Sequence, residues 1–90
     1  MLQKLFSIYD SKAESFSNPV YLSSTGLAVR TFSDSVQDPD SQFAKHPADY
    51  TLFELGTYDD QTAEFKLLPT PKSLFIAIEF ITPTLKEAKS

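Results

Sequence analysis

His46 is the only histidine of the chain, and it sits in Phe43-Ala44-Lys45-His46-Pro47-Ala48-Asp49-Tyr50, a polar stretch that leads into a patterned strand. A general acid or base needs an oriented partner and a substrate-facing position. Asp49 is the only carboxylate close by in sequence, so the residues favour His46 as a cap or brace of this loop. There is no cysteine nucleophile, and no serine occupies a Gly-x-Ser-x-Gly elbow. One histidine without cysteine cannot form a structural zinc site. Asp34, Asp38, Asp40, Asp59 and Asp60 lack the spacing, central glycine and terminal glutamate of a calcium loop, and read as solvated helix-end and turn carboxylates. Gly26 and Gly56 are too far apart to build a phosphate-cradling loop. No cofactor, metal or enzymatic activity is expected.

Nucleic-acid binding is the chemistry that the residue types leave open. Single strands are held by a basic groove and aromatic platforms, each stacked base contributing about 1–3 kcal/mol. Phe6, Tyr9, Phe53, Tyr58, Phe65 and Phe75 fall on expected strands, and Lys4, Lys12, Arg30, Lys66 and Lys72 are placed to border such a sheet. The competing reading makes the aromatics core and dimer interface and the lysines a solvated rim. Composition alone favours it, because residues 31–65 hold eight carboxylates against Lys45. The flanking segments are mildly basic, so a positive face requires the two ends of the chain to meet in the fold.

Ninety residues make one small domain without disulfide support. The expected partition is a single domain over residues 1–82 and a flexible tail over 83–90. The longest apolar run, Leu74–Ile78, is far below the ~20 residues of a membrane span. Met1–Phe6 lacks the features of a signal peptide. A cytosolic protein is expected. Self-association is the expected reinforcement, since an isologous dimer can cover an open sheet edge.

Leu2–Tyr9 alternates as a strand, with Phe6 and Ile8 on one face and Leu5 and Tyr9 on the other. Val20–Leu22 reads as a second, short strand. Ser23-Ser24-Thr25 offers caps to a helix whose stripe is Ala28, Val29, Phe32 and Val36, ended by Asp38-Pro39. Asp40–Asp49 reads as loop. Tyr50–Tyr58 is the clearest strand, with Thr51, Phe53, Leu55 and Thr57 on one face and Tyr50, Leu52, Glu54 and Tyr58 on the other. Gly56 marks a bulge or a close backbone approach. A turn at Asp59–Thr62 returns the chain as Ala63–Leu68, and Pro69-Thr70-Pro71 reads as a stiff connector. Ser73–Ile81 fits a strand or a short buried helix, and its β-branched content favours strand. The fold class is α+β: an antiparallel-rich sheet of four to five strands with one amphipathic helix, in the order β-β-α-β-β-β.

Several segments together resemble the small nonstructural protein of gokushoviruses, single-stranded DNA phages of the Microviridae. They are Ile8-Tyr9-Asp10-Ser11-Lys12-Ala13-Glu14, Ala28-Val29-Arg30-Thr31-Phe32, Asp38-Pro39, and Lys45-His46-Pro47-Ala48-Asp49-Tyr50-Thr51-Leu52-Phe53-Glu54-Leu55-Gly56 followed by Asp59. Pro71-Lys72 before the last apolar run is also similar. The resemblance implies a non-enzymatic protein of the host bacterial cytoplasm that is absent from the mature virion and is likened to microvirus protein C. It further implies binding of single-stranded DNA or of the viral replication complex, promoting single-stranded genome synthesis and packaging. The expected partners are single-stranded DNA, phage or host replication proteins and further copies of the chain, with no membrane. Lys4, Lys12, Arg30, Lys66 and Lys72 are the expected phosphate contacts. The alternative is an acidic adaptor whose segment 31–65 engages a replication factor or procapsid without touching DNA.

Overall fold

The computed structural model describes residues 1–81. The expected tail, 83–90, lies outside the described residues. The strands are β1 (Leu2–Asp10), β2 (Ser15–Phe16), β3 (Val20–Leu22), β4 (Tyr50–Asp59) and β5 (Glu64–Ile76). The helices are α1 (Thr25–Gln37) and the one-turn α2 (Gln42–Lys45), and a 3-10 turn covers Ala77–Phe80. All strand pairs are antiparallel. β1 and β4 are central, β5 forms one edge, and β2 and β3 share the other edge of β1. The fold class is thus the expected α+β sheet with one main helix.

Two turns of the same construction close the hairpins. Asp10 and Asp59 each end a strand, and their Oδ1 atoms accept from Lys12 N–H at 2.9 Å and Gln61 N–H at 2.9 Å. Their carbonyls accept from Glu14 and Ala63, both of which have positive φ (57° and 63°). An aspartate at the turn entrance orients the amides that follow, and this is the local reason both strands stop there.

Helix α1 starts where Ser24 Oγ accepts from Leu27 N–H at 3.2 Å. It ends at Asp38, whose extended backbone suits the residue before Pro39. Ala28, Phe32 and Val36 are buried and meet Phe6, Leu52 and Ala77, with Leu22, Phe43, Leu74 and Phe80 packed around them. Phe32 makes edge contacts with Phe43 and Phe80 at centroid distances of 5.6 and 5.9 Å. Ser41 Oγ donates to Ser35 O at 2.6 Å and accepts from Ala44 N–H at 3.1 Å, which ties α2 to the end of α1.

Four details differ from the sequence-based expectations. The expected loop Asp40–Asp49 contains α2. The two residues of β2 add a strand, held by the Tyr9↔Phe16 rung. The Pro69-Thr70-Pro71 connector lies inside the long strand β5. It is accommodated because the β4–β5 register jumps between Glu54↔Lys72 and Gly56↔Leu67, leaving residues 68–71 outside the ladder, where proline's missing N–H costs nothing. Ser73–Ile81 is divided: strand to Ile76, then the 3-10 turn, where Glu79 Oε2 accepts from Ile76 N–H at 2.7 Å.

The body under α1 holds the core. Beyond it the sheet continues as an arm built from the start of β1, the end of β4 and the first part of β5, in which Glu64–Ser73 are all exposed. The molecule is correspondingly long, 51 × 26 × 24 Å.

Candidate nucleic-acid interface

Register decides which side chains share a face, because directly opposed residues project to the same side of a sheet. Lys4, Thr57 and Lys66 form one rung across β1, β4 and β5, and Phe6, Glu54 and Lys72 form another nearby. Phe6 lies under α1, so this is the helix-bearing face. Lys4 and Lys66, two strands apart, are separated by about 10 Å at the backbone.

Lys4 Nζ donates to Thr25 Oγ1 at 3.0 Å and lies 3.8 Å from Glu54 Oε2. Thr25 Oγ1 in turn donates to Glu54 Oε1 at 3.2 Å. This relay docks the first residue of α1 beside the lysines. The first turn of α1 contains no acidic residue, so the partial positive charge of the helix N-terminus adds to that of Lys4, Lys66 and Lys72. Glu54 is the carboxylate on these two rungs and offsets part of the field.

Three of the five expected phosphate contacts therefore converge, and two do not. Lys12 lies in the β1–β2 turn, about 20 Å along β1 from Lys4. Arg30 is exposed on α1. Asp34, Asp38 and Asp40 lie at the far end of α1, whereas Asp59, Asp60 and Glu64 sit at the tip of the arm, where Asp60 Oδ1 accepts from the Met1 amine at 2.7 Å. The Asp59↔Glu64 rung is two residues from the Lys4–Thr57–Lys66 rung on the same face and offsets part of its field.

Among the described residues the opposite face carries no helix and no charged strand residue. All seven charged residues of the strands, Lys4, Asp10, Glu54, Asp59, Glu64, Lys66 and Lys72, fall on the helix-bearing side. The helix-free side carries two aromatic groups. Tyr9, Phe16 and Phe53 meet at 4.9, 5.3 and 6.4 Å between centroids. Tyr58 contacts Tyr21 at 5.5 Å and Phe65 at 4.6 Å. Leu5 lies on the same face and is only 2 % exposed.

The expected union of lysines and aromatics on one sheet face is thus not what the register gives. Tyr9 and Phe53 face away from Lys4, Lys66 and Lys72, and Phe6 is wholly buried in the core. For Tyr9 the cause is the unbroken alternation of β1, which puts residues five apart on opposite faces. For Phe53, relative to the Thr57↔Lys66 rung, it is the bulge in β4. Between the rungs Phe6↔Glu54 and Leu5↔Gly56, Leu55 has no opposite residue on β1, so the alternation slips by one. Thr57 moves to the helix side and Tyr58 to the bare side. Gly56, the signal that a bulge was near, does not say at which residue the parity changes.

His46 ends α2, its N–H donating to Gln42 O at 2.9 Å and its carbonyl accepting from Asp49 N–H at 3.0 Å. This is a loop-bracing position. Among the described residues no group of three or more His, Asp or Glu side chains is arranged to hold a metal ion, and no helix is long and apolar enough to cross a membrane. A cavity of about 130 Å³ lies between α1 and the β1–β3 edge, lined by Phe6, Ile8, Leu22 and Phe32, with the hydroxyls of Ser17, Thr31 and Ser35 on its wall.

A family model described as phage ORF5 protein matches residues 3–80. No curated protein and no solved structure matches the chain.

Proposed function

The chain belongs to the phage ORF5 protein family, and from that premise we propose that it is a non-enzymatic phage protein that binds the backbone of single-stranded DNA. The observation that carries this reading is the convergence of Lys4, Lys66 and Lys72 beside an α1 N-terminus free of acidic residues. Ammonium groups about 10 Å apart on a protruding arm can reach successive phosphates of a flexible strand. Lys12 and Arg30 lie outside this group and contribute to the general field. The resemblance to gokushovirus nonstructural proteins gives the binding its setting: the cytoplasm of an infected bacterium, where a protein outside the virion favours single-stranded genome synthesis and packaging over further duplex replication.

Fluorescence anisotropy with a labelled oligonucleotide tests it. Binding at low salt that weakens as salt rises, and that drops about tenfold in the Lys66→Gln/Lys72→Gln double variant, is expected. No binding at low salt, or binding indifferent to the double variant, overturns it.

The adaptor reading draws on the carboxylates gathered at the tip of the arm and at the far end of α1. On that reading Asp34→Lys and Glu64→Lys abolish co-purification of a nuclease-resistant protein partner from infected cells while the circular-dichroism spectrum is unchanged.

A further inference from the structure

The helix-free face has no assigned role in DNA-backbone binding, and its composition is unlike the rest of the surface. We infer that it is the surface through which two copies of this chain associate face to face. Phe16, Tyr21, Phe65 and Leu67 on it are 46, 46, 53 and 67 % exposed, although they are large and apolar or aromatic. Exposed apolar side chains gathered in two clusters on one face mark an interaction site.

Charge selects the occupant. The chain carries a net charge of −4, so most pairings of its surface with itself bring carboxylates together. The helix-free face has neither carboxylates nor lysines on any of its rungs. Two copies meet there without like-charge repulsion, and the acidic tip and helix end stay in water. A nucleic-acid strand fits this face less well. Stacking platforms work beside cations that hold the phosphates, and the strand lysines project from the opposite side. Leu67, the most exposed large side chain on this face, is aliphatic and offers no ring to a base.

Size agrees with a second copy. Nine residues along β1 and four strands across give a face of roughly 30 Å by 15–20 Å. Two such faces remove on the order of 1,000 Å² from water, the lower range of a specific interface. The alternative route, edge-to-edge pairing through β5, is blunted. Pro69 and Pro71 lack donors, and Lys66 and Lys72 carry charge along the same strand. Self-association, expected from the sequence at a sheet edge, is therefore assigned to a face.

The test is the solution mass of the full chain by light scattering after size exclusion. A mass twice the 10.1 kDa of the monomer is expected. Leu67→Lys and Phe65→Lys, made at exposed positions of β5, are expected to weaken the dimer more than tenfold with an unchanged circular-dichroism spectrum. Leu2→Lys, equally exposed but on the helix-bearing face, leaves the mass unchanged. A monomeric wild type at tens of micromolar, or a dimer indifferent to both face variants, overturns the inference. So does a monomer whose tyrosine fluorescence is quenched by oligo(dT) in a Leu67-dependent way, because bases then occupy the face. DNA affinity measured on the Leu67→Lys monomer separates this question from backbone binding, which the lysine variants test.

Discussion

Gly56 is the residue on which the crossing of β4 and β5 depends. It opposes Leu5 on one side and Leu67 on the other. A Cβ placed there would lie 2.7 Å from Leu67 Cα and overlap the carbonyl oxygen of Lys66. Both obstacles are backbone, so no side-chain rotation relieves them. Gly56→Ala is expected to cost about 2–4 kcal/mol, read as a lower urea midpoint, and to loosen the arm more than the body. Tyr50 gives a second residue-level prediction. Its ring packs edge-on against Phe43 at 4.9 Å. Burial, and then the carboxylates of Asp10 and Asp49, raise its phenol above the ordinary value of 10.0. A raised folded-state value means that the folded protein holds the proton more tightly than the unfolded chain. The stability associated with it is complete below about pH 10 and is lost as pH rises through the folded value. Tyr50→Phe keeps the ring and removes the titration, so the urea midpoint of the variant should fall less steeply above pH 10 than that of the wild type.

At the scale of elements, what was legible in the sequence was what local chemistry determines. Ser24, the Ala28–Phe32–Val36 stripe and Asp38-Pro39 define α1 with its caps, because each signal acts within a turn or two of itself. Phe32 carries the packing of that helix, being 3 % exposed and in contact with aromatic rings from two other segments. Phe32→Ala should cost about 3–5 kcal/mol, against about 1 kcal/mol for loss of the cap in Ser24→Ala. Similar costs for the two would mean that α1 is not seated as described. The illegible parts depend on distant strands. β5 runs past two prolines only because four of its own residues, 68–71, stand opposite the single residue Leu55 and so leave the ladder. β2 exists because Phe16 finds Tyr9 and Phe53. The candidate site inherited the same difficulty. The lysines were identifiable by type, but the face they share follows from one unpaired residue in a neighbouring strand.

Across the whole molecule, the fold sorts an acidic chain into zones. The strand charges lie on one face, two aromatic clusters on the other, and carboxylates gather at the tip of the arm and at the end of α1. A molecule of net charge −4 repels a polyanion at a distance, so DNA binding must come from contacts short enough for the local lysines to outweigh the global field. Salt separates the two contributions. Each phosphate neutralised on a single strand contributes about −0.7 to the slope of log K against log salt, so contacts from Lys4, Lys66 and Lys72 predict a slope near −2. Lys66→Gln/Lys72→Gln should reduce it to about −0.7. Glu64 belongs to the field and not to the contact set. It lies two residues from Lys66 on the same face of the arm, about 6.6 Å along the strand. Glu64→Gln removes a repulsion of about 0.6 kcal/mol in water, close to threefold in affinity at low salt. That gain should fade as salt approaches the screening regime, because a charge that touches no phosphate acts only through the Debye length. An equal gain at all salt concentrations would make Glu64 a direct competitor for Lys66, and the lysine group would then be an internal ion-pair network instead of a phosphate site.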